Sequence, residues 1–118
     1  MYNLPHELVD NQIAEGITIK VLNQEGSVVM TEFQIRKGTL LPEHVHRSDH
    51  SAYLVQGNIR MVIDNVSRDL VKGDGWYIGK NVPHHTEALE DSTLLEVYRL
   101  ESEELIDAEL TLAPEMQG

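Results

Sequence analysis

The sequence contains no cysteine among its 118 residues. A disulfide scaffold, a thiolate metal site and a cysteine nucleophile are therefore all excluded. No apolar run approaches the roughly 20 residues that a membrane-spanning helix requires. Residues 1–7 have neither the basic region nor the apolar region of a signal peptide, so we expect a cytoplasmic protein that does not bind membranes.

Basic residues are also scarce, because 9 Lys and Arg residues stand against 20 Asp and Glu residues and give a formal net charge of −11. Nucleic-acid binding needs clustered Lys and Arg, so this charge argues against a nucleic-acid partner. Hydrophobic residues make up 41% of the chain, an ordinary value for a globular fold. The length predicts a single domain over residues 1–118, with a core over about residues 13–100.

Short runs of strand-forming residues, separated by frequent turn signals, cover most of the chain. Residues 17–22 form a β-branched run, and residues 28–36 alternate between apolar and polar side chains. Turns rich in Gly, Asn and Asp recur every roughly eight to twelve residues, which is typical of a sandwich or barrel. We therefore predict an all-β fold of roughly eight to ten strands, with one short helix over residues 102–108.

Four of the six histidines form the candidate site. His44, His46 and His50 have the same parity, so along an extended chain they project to one face. His84 comes later, directly after Pro83. Imidazole is the commonest protein ligand for transition metals, so the pattern predicts one divalent ion, with Mn, Fe, Ni, Zn and Cu as candidates. A small-molecule ligand or substrate can then chelate this ion.

The segment from Gly38 to Gly57 resembles the first motif of the cupin family. That motif consists of a glycine, a His-x-His pair, an acid or amide, and a second glycine at fixed spacing. His50 stands where the family usually has Glu or, in some subgroups, Gln. The resemblance implies a cupin double-stranded β-helix, or jelly-roll barrel, whose metal ligands are His44, His46, His50 and His84. The protein is thereby similar to the four-histidine variant of the family.

Residues 73–84 are similar to the second cupin motif, and the whole resemblance covers about residues 26–100. Gly79 and Asn81 replace the usual Pro and Gly of the motif's loop. Next to the histidines, Glu43 and Asp49 are candidates to hold a ligand's second ring nitrogen. His85 has the opposite parity to His84 and is interpreted as a non-ligand.

The segment over residues 88–98 is similar to the small cupins that open unsaturated uronates from pectin breakdown. Glu96 matches the acid that serves there as general base, and Tyr98 matches an aromatic wall of the substrate site. Ser102 takes the place of an Arg in that subgroup, so the substrate's carboxylate lacks that partner. The resemblance implies Glu96 and Tyr98 as catalytic residues.

Together these features predict a metal-dependent isomerase or lyase acting on a small polar metabolite, such as a sugar acid or a keto-enol. One alternative is a dioxygenase that cleaves a C–C bond at a bound metal. Another is a non-catalytic cupin that binds a small molecule or sugar. We also expect a homodimer, in which residues 17–22 pair with a second subunit and so cover an exposed sheet edge.

Overall fold

The computed structural model describes residues 10–99, which form two antiparallel β-sheets. The predicted helix over residues 102–108 lies outside the described residues. Within residues 10–99 no helix is long and apolar enough to cross a membrane. The strands are β1 (Asn11–Ala14), β2 (Ile17–Glu25), β3 (Val28–Ile35), β4 (Leu40–His44), β5 (His50–Gln56), β6 (Asn58–Ile63), β7 (Val66–Val71), β8 (Gly75–Ile78), β9 (His84–Ala88) and β10 (Ser92–Arg99).

From β3 onwards the chain passes repeatedly from one sheet to the other. One sheet has the order β1-β2-β3-β10-β5-β8 and the other has the order β4-β9-β6-β7. The last strand, β10, therefore lies between β3 and β5 in the middle of the larger sheet. This interleaving of two antiparallel sheets is the arrangement of a jelly roll, and it confirms the predicted all-β class.

The core lies between the two sheets and is built from alternate residues of the strands. Side chains along a strand point to opposite faces in turn, so alternate residues are buried along β3, at the start of β2 and along most of β10. Removal of these apolar side chains from water is the main stabilising contribution to the fold. The buried apolar cluster consists of Ile17, Ile19, Phe33, Ile35, Leu41, Leu54, Ile59, Met61, Ala88 and Leu94.

The early strands differ from the sequence prediction in two ways. β1 begins at Asn11, two residues before the predicted start of the core at about residue 13. β1 pairs with one side of β2, and β3 pairs with the other. Because β1 and β3 pair with the two edges of β2 at residues 17–19, this part of the segment 17–22 has no free edge for backbone pairing with a second subunit.

Gly57 connects β5 to β6 in a conformation that other residues rarely adopt, with φ at 105°. A Cβ there would lie 2.6 Å from the backbone oxygen of Asp91 and 2.6 Å from Cα of Ser92. We expect Gly57→Ala to lower the free energy of unfolding by about 3 kcal/mol, since it combines backbone strain with overpacking. Urea unfolding at equilibrium measures this loss.

The control for that change is Gly26→Ala. Gly26 also has a positive φ, 61°, but a Cβ there would meet nothing within 4 Å. Only the cost of the left-handed backbone then applies, about 1–2 kcal/mol. Equal losses in the two variants would contradict the role of close packing at Gly57.

Candidate metal centre

Two histidines that are close in sequence, His44 and His46, come together between the sheets with the distant His84. His44 ends β4, His84 begins β9, and the two are opposite each other in the ladder. His46 lies in the loop after β4. One ring nitrogen from each of the three lies within 4.8 Å of the others. An ion bound at about 2.1 Å from each nitrogen requires separations of up to about 4.2 Å, so small ring rotations bring all three to one ion.

A bulge in β4 places His44 in this group. Leu41 pairs with Thr86, and a regular ladder would then put Glu43 opposite His84. The register instead shifts by one residue, so that His44 takes this position. Pro42 lies inside the shifted segment and has no N–H to donate to a ladder, which explains why the bulge forms there. The parity argument did not anticipate this shift.

Main-chain carbonyls fix the orientation of two of the rings. Nδ1 of His44 lies 2.8 Å from the carbonyl oxygen of Pro42, and Nδ1 of His84 lies 2.9 Å from that of Val82. A carbonyl oxygen only accepts, so Nδ1 carries the proton in both rings and Nε2 keeps its lone pair. A ligating histidine needs this tautomer, and such a hydrogen bond is its usual support.

Glu43 and Asp49 were candidates for that supporting role, and for His44 and His84 the expectation was wrong. Both acids are exposed, and Asp49 Oδ2 instead accepts a hydrogen bond of 2.7 Å from Tyr77 Oη. The sequence signal that was missed is the short spacing: each supporting carbonyl lies two residues before its histidine.

Burial keeps both of these rings neutral. It lowers the pKa of His84 to about 3, and it also lowers the pKa of His44, with the neighbouring imidazoles acting in the same direction. Loss of solvation disfavours the charged imidazolium, so the neutral ring predominates at pH 7. Neutral imidazole is the form that coordinates a metal ion.

His50 lies beside the three-histidine group as the first residue of β5. Its ring centroid is 4.8 Å from that of His46 and 5.7 Å from that of His84. Its Nε2 atom is 3.7 Å from Oε2 of Glu96. The structure therefore brings three of the four predicted ligands within 4.8 Å of each other, with His50 next to them and facing a carboxylate.

Glu96 lines the same cavity as the three histidines. It lies on the same face of β10 as the buried Leu94 and Tyr98, which is the inner face of the sheet. The cavity volume is about 20 Å³, enough for about one water molecule or ion. Its lining is formed by Phe33, Leu41, His44, His46, Met61, Ile78, His84, Thr86, Leu94 and Glu96.

Tyr98 and His85 lie further from the group. Tyr98 is buried opposite His50 in the ladder and packs with Val29 and Val21, away from the residues that line the cavity. His85 pairs with Val62 and has the opposite parity to the buried His84, as expected for a non-ligand.

Two of the polar or sulfur-containing residues that line the cavity escaped the sequence reasoning. Thr86 and Met61 line the cavity, and Thr86 Oγ1 donates a hydrogen bond of 3.2 Å to Met61 Sδ. For Thr86 a signal was available, because it lies two residues after His84 on the same face of β9. The position of Met61 depends on the long-range pairing of β6 with β9.

The loop before His84 holds His46 through Asn81. The backbone N–H of Asn81 donates a hydrogen bond of 2.9 Å to the carbonyl oxygen of His46. Asn81 has a φ of 59°, in the left-handed region that Gly and Asn adopt most readily. The replacement of the motif's usual glycine by Asn81 is therefore compatible with the same loop conformation.

Comparison with known families agrees with this arrangement. The model of the family described as "Cupin domain" matches residues 31–98, which is more than half of the chain. This chain is a cupin. The matched segment contains the three converging histidines, His50 and Glu96, so the family assignment and the candidate site rest on the same part of the sequence.

Solved structures with the same fold include KdgF from Halomonas sp. and an RmlC-like cupin from Shewanella frigidimarina NCIMB 400. KdgF is 21% identical with a TM-score of 0.81, over 89% of this chain and 97% of that chain. The Shewanella protein is 19% identical with a TM-score of 0.81, over 87% of this chain and 93% of that chain. At these identities the similarity establishes the fold alone.

A curated relative is the oxalate decarboxylase OxdC of Bacillus subtilis (strain 168). It is 26% identical over 83 residues, which cover 66% of this cupin and 22% of OxdC. The cupin therefore spans about a fifth of the length of this relative. A solved structure concerned with the Mn(II) centres of the B. subtilis oxalate decarboxylase has a TM-score of 0.73 and covers 82% of this chain and 28% of that chain.

Proposed function

We propose that this cupin binds one divalent transition-metal ion through His44, His46, His50 and His84. The observation that carries the proposal is the convergence of three buried histidines, two of which have Nδ1 tied to a carbonyl. His50 becomes the fourth ligand by a small movement of its ring, which is 4.8 Å from that of His46. Four neutral imidazoles leave the charge of the ion uncompensated, which favours anionic ligands such as carboxylates.

The activity that this site supports best is an isomerase- or lyase-type reaction on a small polar metabolite, such as a sugar acid or a keto-enol. A bound divalent ion supplies Lewis-acid polarisation of a carbonyl. Glu96 accepts a proton at Oε2 from the carbon next to that carbonyl and returns it at another position. Oε2 of Glu96 lies 3.7 Å from Nε2 of His50, which places this carboxylate next to the proposed ligands. Tyr98 is the ladder partner of His50, and we propose that it supports the position of that ligand.

The likeness to oxalate decarboxylase supports a lyase-type reaction on a small carboxylate and makes Mn a candidate metal. The resemblance of the segment over residues 88–98 to uronate-opening cupins supports a sugar acid. The cavity of about 20 Å³ holds an ion and no metabolite. The substrate therefore binds at the rim of the cavity, or the lining side chains move to admit it.

The experiment is a screen of sugar acids, keto-enols and small dicarboxylates with the metal-loaded protein, run with and without oxygen. We expect product formation in both conditions. Consumption of oxygen with a chelating enol would instead identify a dioxygenase. Tight binding of a compound without turnover would identify a non-catalytic binding protein.

We further propose that the protein is a homodimer in which a second copy covers the part of the outer face of the six-stranded sheet around Met30 and Val97. Exposed apolar side chains cluster on this face, where Met30 pairs with Val97. A patch of this kind on an isolated chain favours association. The exposed fractions are 47% for Val28, 37% for Met30, 47% for Tyr53, 59% for Tyr77 and 37% for Val97.

Light scattering at micromolar concentration is expected to give the mass of two chains of 13.4 kDa each. Val97→Asp places a charge in the centre of the apolar patch and is expected to give a monomer. Val66→Asp is the control, because Val66 is 53% exposed on the other sheet. A parent protein of monomer mass would refute the dimer.

A further inference from the structure

A row of five uncharged polar side chains crosses the outer face of the six-stranded sheet. Each member is the ladder partner of the next, and the row runs over β1, β2, β3, β10 and β5. Adjacent strands are about 4.8 Å apart, so the row is roughly 19 Å long. In order, its members are Gln12, Thr18, Gln34, Thr93 and Gln56.

The row lies along an open groove with a volume of about 520 Å³. This volume is within the range of about 300–1,000 Å³ that is typical of small-molecule sites. Charged residues at the margin of the groove are Glu15, Arg36 and Asp91. Among residues 10–99, no residue lines both this groove and the histidine cavity, so the two are separate places on the molecule.

Two β-bulges turn the terminal glutamines of the row outward. Thr93 pairs with Gln56 while Leu94 pairs with Leu54, so β5 carries an extra residue. In a regular strand Gln56 would share the inner face with the buried Leu54. The second bulge, in β1, separates the outward-facing Gln12 from Ala14, which packs against the core. Bulges that redirect side chains in this way are frequent next to binding sites.

The chemistry of the row limits the class of ligand. Amides and hydroxyls both donate and accept hydrogen bonds, which matches a ligand that presents many hydroxyl groups. An apolar ligand would leave these groups unsatisfied. An anionic ligand would be repelled by Glu15 and Asp91 at the margin of the groove and attracted by the single guanidinium of Arg36. The net charge of −11 on the chain adds to the repulsion.

We propose that this groove is a binding site for a neutral oligosaccharide. A ligand of several sugar units runs along the row and exchanges hydrogen bonds with the amides of Gln12, Gln34 and Gln56 and with the hydroxyls of Thr18 and Thr93. Arg36 closes one margin with further donors. The site does not depend on the metal centre, so its test is independent of the proposed reaction.

The test is an NMR titration of the isotope-labelled full chain with maltotetraose, cellotetraose and xylotetraose, and with tetragalacturonate as the charged comparison. At least one neutral probe is expected to shift the side-chain amide signals of Gln12, Gln34 and Gln56, with saturation below about 10 mM. The same shifts are expected for His84→Ala protein without metal. The proposal is overturned if no neutral probe produces them, or if only tetragalacturonate does.

The double variant Thr18→Val/Thr93→Val keeps the shape of both side chains and removes their hydroxyls. We expect it to weaken binding of the neutral probe about tenfold, as two lost hydrogen bonds predict. Ser67→Ala, in the exposed strand β7, is the control and keeps the parent affinity. If the double variant does not fold, Gln56→Ala replaces it, because that side chain is exposed. Unchanged affinity in the folded variant would also overturn the proposal.

Discussion

His84→Ala is expected to reduce the affinity for the metal by more than about 100-fold. The change removes a ligand itself, whereas loss of a group that only orients a ligand costs about 10–100-fold. His84 is buried, lies opposite His44 in the ladder and has its Nδ1 atom held by the carbonyl oxygen of Val82. Elemental analysis of protein purified without an affinity tag measures the loss, from about one ion per chain to a trace.

The matched control is His85→Ala, which removes the next imidazole along β9. His85 pairs with Val62 and has the opposite parity to His84, so the metal content is expected to stay at the parent level. Thermal unfolding of both variants separates loss of a ligand from loss of the fold. A folded His84→Ala protein with full metal content would show that the ion binds elsewhere.

The variant His50→Ala distinguishes a site of three ligands from a site of four. If His50 is a ligand, the His50→Ala protein also loses metal; if it is not, the metal content stays at the parent level.

Glu96→Gln is expected to lower turnover by about 10²–10⁴-fold, the usual contribution of a positioned acid–base group. The amide keeps the shape of the side chain and removes the group that accepts the proton. Glu96 lines the histidine cavity and lies 3.7 Å from His50 Nε2. The metal content is expected to be unchanged, so kcat falls in a protein that is still loaded with its ion.

Glu32→Gln is the control for this change. Glu32 lies on the neighbouring strand β3 and pairs with Leu95, one residue from Glu96 but on the outer face of the sheet. Its variant is expected to keep the parent activity. If Glu96→Gln were as active as the parent, the base would lie elsewhere or the reaction would need none. Loss of metal in Glu96→Gln would instead make this carboxylate a ligand.

The sequence predicted the features that depend on local pattern. Alternation of apolar and polar residues located β3, because the side-chain period of a strand is two residues. Turn residues such as Gly57 marked the ends of strands, and their positive φ values explain why. The spacing of the two histidine motifs indicated the cupin family, which the family model confirms.

The features that depend on ladder register were not predictable in this way. One extra residue in β4 decides whether Glu43 or His44 lies opposite His84, and no local propensity encodes that choice. The position of β10 between β3 and β5 depends on contacts between distant parts of the chain. For the same reason the row of polar side chains, whose ends depend on two further bulges, became visible only in the folded sheet.

A crystal structure of the metal-loaded protein, with anomalous scattering recorded at the absorption edge of the ion, tests the metal centre most directly. We predict a single anomalous peak at about 2.0–2.3 Å from Nε2 of His44, His46, His50 and His84. The Nδ1 atoms of His44 and His84 are expected to keep their hydrogen bonds to the carbonyls of Pro42 and Val82. Four rings that diverge without a shared peak would contradict the account.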